Sequence, residues 1–138
     1  SMKALTAAER AKSGFAYRNS ANSFTVEFGN TALKGINFNN AFTFEADSNT
    51  AGSGIGKIST DKGQGKIVYP NVFDSGTRVE YSNTESGLKE NIILDKYTGQ
   101  NRFNFTFRSD THIPVLTENG TNILVADKND PEKVEYRF

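Results

Sequence analysis

The residue best suited to acid–base chemistry near neutral pH is His112, the only histidine among 138 residues. It follows Asp110 and Thr111 and precedes a segment with strand character, a setting typical of a surface turn. Acyl transfer would also need a nucleophile, often the serine of a Gly-x-Ser-x-Gly turn, and the sequence has no such motif. Because nothing in the sequence suggests a partner for His112, we predict that the protein is not an enzyme.

Metal ligands are scarce in this chain. With no cysteine and one histidine, a transition-metal site would have almost no ligands, so we expect no metal and no cofactor. The oxygen-rich segment from Asp127 to Glu132 lacks the alternate ligand spacing and central glycine of a calcium loop, and Lys128 lies within it. We interpret the segment as a polar turn, with a weak calcium site shared with another loop as the alternative.

Paired carboxylates for glycoside hydrolysis would have to face each other across a cleft. Glu80 and Glu90 fall on neighbouring predicted strands, where alternation directs Glu80 to solvent and makes Glu90 the only acid that points inward. An inward glutamate is usually paired with a basic residue or lies at a bulge. We therefore predict a structural role for Glu90, with a bulge or register change there.

A glycine-rich stretch, Gly52-Ser-Gly-Ile-Gly56, invites comparison with phosphate-binding loops. Its third glycine comes one residue too early for a dinucleotide fingerprint, and no strand–helix unit surrounds it. Five glycines and few apolar residues lie between Asp47 and Gly65. This composition predicts a mobile loop that contains one short edge strand, Gly56 to Thr60.

Exposed aromatic rings are the usual platforms on which sugar rings stack, and tryptophan is absent here. The remaining candidates are Tyr17, Tyr69, Tyr97 and Tyr136, because alternation assigns most other aromatic residues to the core. Tyr97 lies at a Tyr-Thr-Gly turn. We take Tyr97 and Tyr69 as the candidate ligand-binding residues.

Composition excludes several partners. Sixteen basic residues balance sixteen acidic ones, so no net charge would attract nucleic acid. No apolar run approaches the ~20 residues that a membrane-spanning helix needs, so we expect no membrane insertion. Ser1 and Met2 are typical of residues left by tag removal, and we assign 3–138 to one domain. No signal peptide is present, so an exported parent protein would have lost its signal in cloning.

Local patterns predict one helix and many strands. Thr6 and Glu9 fit a capping box and Gly14 fits a helix end, which predicts a helix over about residues 6–13. It would dock through the apolar residues Leu5 and Phe15 or else fray. The period then changes to two, and about ten short strands follow with turns between them.

The segment from Ile67 to Leu94 predicts three consecutive antiparallel strands, around which we expect the domain to be organised. Beyond it, Phe103, Phe105 and Phe107 alternate with polar residues and should face the core. The fold class is therefore all-β, a two-sheet antiparallel β-sandwich with a short N-terminal helix, although the same pattern would fit a barrel.

One set of residues in the second half of the chain forms a recognisable pattern: Tyr69, Asn71, Val72-Phe73, Glu80-Tyr81, Gly87-Leu-Lys-Glu90, Ile92-Ile-Leu94 and the strand Asn101–Phe107. With these residues, roughly Lys66 to Phe138 resembles the N-terminal non-repeat region of bacterial wall-associated proteins and their RHS/YD-repeat relatives. The family often has a proline in the first turn and an acidic residue before the second strand, where this chain has Asp74 and Arg78.

This resemblance implies a non-catalytic structural or adhesive module of a secreted, cell-wall-located bacterial surface protein. Its partners would be other domains of a larger parent chain and, by extension, cell-wall or other polysaccharide. The alternative is a carbohydrate-binding module of a secreted polysaccharide-acting protein. A third interpretation, a fragment of a lytic enzyme, has no residue pattern in its favour.

Overall fold

A computed structural model describes residues 2–21, 24–47, 54–61, 64–84, 87–95, 103–116 and 123–137. In these ranges the chain forms one helix and thirteen strands. The elements are α1 (Ala7–Ser13), β1 (Met2–Ala4), β2 (Tyr17–Ala21), β3 (Phe24–Phe28), β4 (Ile36–Phe38), β5 (Phe42–Ala46), β6 (Lys57–Asp61), β7 (Gln64–Tyr69), β8 (Thr77–Thr84), β9 (Gly87–Leu94), β10 (Phe105–Arg108), β11 (His112–Leu116), β12 (Ile123–Asp127) and β13 (Asp130–Arg137).

The strands form two sheets, which confirms the all-β prediction. The first has six antiparallel strands in the order β1-β2-β3-β4-β5-β10. The second has seven, in the order β11-β12-β13-β9-β8-β7-β6, and consists of two antiparallel meanders. A single parallel pairing of Arg137 with Gly87 joins these meanders. Met2, which sequence reasoning assigned to a tag remnant, pairs with Asn19 as the first residue of β1.

The two sheets pack face to face around one apolar core, as expected for a sandwich. Alternate residues of β3 and β5 are buried, so these two strands each have one apolar face and one polar face. Phe28 contacts Tyr81 of the second sheet with ring centroids 6.2 Å apart. Phe38 packs edge-on against Tyr136 at 4.7 Å. Aromatic contacts between the sheets therefore fill the interior.

Helix α1 begins and ends as its sequence predicts. The Thr6 hydroxyl accepts from the Glu9 amide, and the Glu9 side chain accepts from the Thr6 amide, so the capping box is present. Gly14 ends the helix with a positive φ of 78°, which a residue with a Cβ adopts at a cost. The helix itself has no buried residue, but Leu5 and Phe15 on either side of it are buried. The helix thus docks through its flanking residues.

The predicted glycine-rich loop is partly structured. Residues 48–53 and 62–63 lie outside the described residues, whereas β6 forms an edge strand within one residue of its predicted position. Before it, Gly56 donates to the Asn30 carbonyl at 2.8 Å and accepts from the Tyr17 hydroxyl at 2.6 Å. A Cβ at Gly56 would lie 2.4 Å from the Tyr69 ring, so glycine permits this close approach.

The central three strands are confirmed, but the expected bulge is wrong. Strands β8 and β9 pair without a register shift along their whole length, from Thr77 opposite Leu94 to Thr84 opposite Gly87. Glu90 lies directly opposite Tyr81. The regular ladder keeps Glu90 on the inner face together with Leu88 and Ile92. The bulge is predicted because a strand usually avoids burying a carboxylate, but here the ladder stays regular at Glu90.

The phenylalanines near β10 are less buried than predicted. Phe103, Phe105 and Phe107 are all only partly buried, although they pack against the core. Phe105 stacks on Phe44 with ring centroids 4.8 Å apart. Strand β10 lies at the edge of its sheet, so none of the described strands covers its far side.

We predict that Phe28→Ala lowers the free energy of unfolding by about 3–5 kcal/mol, because the ring is fully buried between the sheets. Phe105→Ala should cost only about 1–3 kcal/mol, since solvent can reach the space it leaves at the edge strand. Denaturant unfolding of both variants measures the difference. Equal losses would contradict the edge position of β10.

Candidate functional site

The two residues predicted to bind a ligand do not form a site. Tyr97 lies outside the described residues. Tyr69 is fully buried in β7, and its hydroxyl donates to the Gly29 carbonyl at 2.7 Å. Burial raises the pKa of Tyr69 well above its ordinary value. A ring with no exposed surface cannot stack on a sugar from solvent, so the candidacy of Tyr69 is corrected to a role in the core.

The outer face of the six-stranded sheet carries the most extended set of polar side chains that we find. Consecutive strands place one polar residue each in direct register, so that together they cross the whole sheet. We call this set the polar row. Its members are Lys3, Arg18, Glu27, Asn37, Thr43 and Arg108.

Hydrogen bonds hold the middle of the polar row in place. Arg18 donates to Glu9 at 3.1 Å and to Glu27 at 3.0 Å, and the Glu27 hydrogen bond is the main cause that raises the pKa of Arg18. The Asn37 amide nitrogen donates to Glu27 at 3.3 Å and to Asn40 at 3.0 Å. The side chains are therefore oriented before any ligand arrives.

Two adjoining depressions lie along the polar row, with volumes of about 280 and 240 Å³. Both are lined by Asn37 and Asn40, so they form one shallow surface feature, which we call the polar trough. The remaining lining residues are Arg18, Thr25, Glu27 and Asn39 on one side, and Ala41, Phe42, Thr43, Arg108, Ser109 and Asp110 on the other.

The turn between β4 and β5 forms the rim of the polar trough. Asn39 and Asn40 both have positive φ, 51° and 55°, a conformation that asparagine tolerates better than most residues. The Asn39 amide donates to the Thr25 carbonyl at 2.6 Å, and its side-chain nitrogen donates to the Tyr136 hydroxyl at 3.0 Å. This turn is thus attached to both sheets.

His112 has partners that the sequence did not reveal. Its Nδ1 contacts the Thr111 hydroxyl at 2.7 Å, and its Nε2 contacts a Glu135 carboxylate oxygen at 2.5 Å. The His112 hydrogen bond is the first cause that lowers the pKa of Glu135. The expectation that His112 lacks a partner is therefore wrong, because the partner lies two strands away in the sheet.

This hydroxyl–imidazole–carboxylate arrangement lacks the rest of an acyl-transfer site. Backbone amides could stabilise an oxyanion, and those of Thr111 and His112 adjoin the imidazole in the sequence. Both donate to the Ser109 hydroxyl oxygen instead, at 3.1 and 2.9 Å, and the Ser109 hydroxyl donates to the Ala41 carbonyl at 2.6 Å. These bonds describe a side-chain-stabilised turn between β10 and β11.

Glu80 and Glu90 lie on opposite faces of their sheet, so no cleft separates them. Glu80 is on the outer face as predicted, but it is not open to solvent. Lys66 and Arg78 cover it, with nitrogens 3.3 and 3.6 Å from its carboxylate, and only 7% of the residue is exposed. This pair cannot act as the two acids of a glycosidase.

Glu90 is an inward carboxylate without a basic partner among the described residues. The Tyr81 hydroxyl donates to it, while its Oε2 atom is buried and has no hydrogen-bond partner in the part of the chain described. Burial raises the pKa of Glu90 to about 7, against a smaller opposing effect of the tyrosine hydrogen bond. Sequence reasoning predicted its direction but not its partner.

Other kinds of site find little support in the described ranges. These residues contain no group of three or more His, Cys, Asp or Glu arranged to hold a metal. The segment starting at Asp127 is a turn in which the Asn129 amide donates to the Asp127 carboxylate at 2.8 Å, as the polar-turn interpretation predicted. None of the described helical residues belongs to a helix long and apolar enough to cross a membrane.

No family model, no curated protein and no solved structure matches this chain. The resemblance to wall-associated and RHS/YD-repeat proteins therefore stays a prediction.

We predict that the contribution of Glu90 to the free energy of unfolding falls as pH rises from about 4.5 to 7. Its folded-state pKa lies above the ordinary 4.5, so the folded state holds a proton in this range that the unfolded state has lost. Glu90→Gln should remove this fall and, at about pH 8, raise the free energy of unfolding by roughly 2–3 kcal/mol.

Denaturant unfolding across this pH range measures the effect. Glu45→Gln is the matched control, because it removes a carboxylate that solvent reaches, on the outer face of the first sheet. If the Glu90→Gln variant lost as much stability between about pH 4.5 and 7 as the parent protein, the pH dependence would come from another group.

Proposed function

We propose that this domain is a non-catalytic adhesive and structural module of a secreted bacterial surface protein, and that it adheres through the polar trough. The observation that carries the proposal is the continuous polar row on the outer face of a six-stranded sheet, held by its own hydrogen bonds. Adhesion needs a stable, shaped surface and no reacting group.

The placement of the titratable residues supports a module without catalysis. Glu80 is covered by basic residues on the outer face, Glu90 lies on the inner face of the same sheet, and His112 begins strand β11. Acid–base or nucleophilic catalysis would need such groups to converge on one substrate atom. In the described residues they lie in three separate environments.

The resemblance supplies the rest of the proposal. A module of the wall-associated and RHS/YD-repeat type would be joined to other domains of a longer chain and displayed at the cell wall. A rigid sandwich with a folded N-terminal segment is suited to such display, because its binding face does not depend on the neighbouring domains.

A second candidate is a carbohydrate-binding module of a secreted polysaccharide-acting protein. The chemistry of the polar trough favours it: amide, guanidinium, hydroxyl and carboxylate groups line the trough, and each can bond a sugar hydroxyl. The two candidates differ in the domains next to this one. A catalytic glycosidase domain would favour the second, and YD repeats would favour the first.

We predict that the domain cosediments with purified Gram-positive cell walls and that the double variant Asn37→Ala/Arg108→Ala weakens this binding at least tenfold. Both side chains lie in the polar row. The control is Asn91→Ala/Lys89→Ala, which removes the same kinds of group from the outer face of the second sheet. The proposal would be contradicted if the parent domain did not cosediment with the walls, or if both double variants lost the same amount of wall binding.

We also predict that His112→Ala changes neither turnover nor wall binding, and lowers stability by about 1–3 kcal/mol. Only 11% of the His112 side chain is exposed, so the substitution removes packing as well as the contact with Glu135, whereas the turn keeps its Ser109 hydrogen bonds. Reducing-sugar release from wall polysaccharide and thermal unfolding provide the measurements. If the parent domain released sugar and the His112→Ala variant did not, the protein would be an enzyme and the prediction would be wrong.

A further inference from the structure

We propose that the polar trough binds a linear, uncharged polysaccharide that lies across the strands of the first sheet. This inference rests on the proposed adhesive function and names its ligand class. It begins from the direction of the polar row, which runs perpendicular to the strands through residues paired one to one in β2, β3, β4, β5 and β10.

The spacing of the polar row suits a chain of sugars. Neighbouring strands are about 4.8 Å apart, so the row offers a new polar side chain at that interval and spans roughly 19 Å from β2 to β10. A pyranose unit in an extended linear chain advances by a length close to one strand spacing. Successive sugars can therefore lie beside successive members of the row.

The side chains offer both halves of a sugar hydroxyl's hydrogen bonding. Glu27 and Asp110 supply acceptors, Arg108 supplies donors, and Asn37 supplies both. Among the described residues, the Asn37 amide nitrogen has two partners, whereas its Oδ1 accepts no hydrogen bond. Asn37 lines both depressions, so a chain crossing the trough passes beside its side chain.

Charge favours a neutral ligand over a polyanion. Arg18 is shared by two carboxylates, Glu9 and Glu27, and Lys3 lies 3.5 Å from Glu9. Arg108 is the most exposed cation of the trough, and Glu45 approaches it at 3.8 Å. With each cation matched by an acid, no positive patch remains to attract a uronic acid polymer or a nucleic acid.

The trough predicts weak binding that grows with chain length. No member of the polar row is aromatic, and Phe42, which also lines the trough, is only 2% exposed, so these residues offer no ring on which a sugar can stack. Each sugar contributes only hydrogen bonds that compete with water. We expect dissociation constants on the order of 0.1–1 mM for the longest oligosaccharides that fit.

The test titrates the full chain with neutral β-1,4-linked oligosaccharides of glucose, xylose, mannose and N-acetylglucosamine, from disaccharide to hexasaccharide, by calorimetry. Polygalacturonate fragments of the same lengths serve as charged counterparts. For at least one neutral series, the affinity should rise with each unit and level off at about five sugars, where the polar row ends. Asn37→Ala should weaken the longest ligand about tenfold.

Asn91→Ala is the matched control, because it removes the same side chain from the middle of a strand on the opposite outer face, and it should leave the affinity unchanged. If Asn37→Ala does not fold, Arg108→Ala on the edge strand replaces it, with Lys89→Ala as control. Circular dichroism and melting temperature establish folding in each case.

Three results would overturn the inference. The first is tighter binding of polygalacturonate than of every neutral series, and the second is neutral binding that the Asn37 and Arg108 variants do not weaken. In the third, no neutral oligosaccharide binds, while cell walls still bind and the same variants abolish that binding. The third result would support the adhesive function but reject a neutral saccharide as the ligand. If the parent domain itself did not bind cell walls, the adhesive function would be rejected.

Discussion

The hydrogen bond from the Tyr69 hydroxyl to the Gly29 carbonyl is the constraint on which the two-sheet arrangement depends. Tyr69 is fully buried, and a buried hydroxyl without a partner would be costly. Its partner follows β3 in the opposite sheet, so the bond fixes how the sheets lie relative to each other. The Tyr69 ring contacts Tyr81 at 6.1 Å, and Tyr81 contacts Phe28 at 6.2 Å, which extends this constraint through the core.

A fixed interior leaves the outer faces free for recognition. Because side chains alternate along each strand, the same registers that align Val26 with Phe38 inside also align Glu27 with Asn37 outside. The polar row is thus a consequence of the strand pairing that builds the core. The bond from Asn39 to Tyr136 adds a second link, since it holds the rim of the polar trough to the seven-stranded sheet.

The acidic residues show how differently one residue type can be used. Glu80 and Glu90 lie on adjacent strands but on opposite faces of them. Glu80 is neutralised by two basic side chains, whereas Glu90 shares the core with Tyr81, and burial raises its pKa to about 7. Neither geometry offers a carboxylate to a substrate. Glu27 shows a third use, because it lies on an outer face, where Arg18 and Asn37 hold it in the polar row.

By itself, the sequence determined the features that depend on near neighbours. These are the capped helix from Ala7, the faces of the central strands and the inward direction of Glu90. Each follows from helix capping or from the two-residue period of a strand, and both act over a few residues. Tertiary structure alone decided which strands pair, and so it decided the polar row and the Glu135 partner of His112, which is 23 residues away. It also decided the burial of Tyr69, because the residues that cover this ring belong to the opposite sheet and cannot be recognised from the sequence around Tyr69.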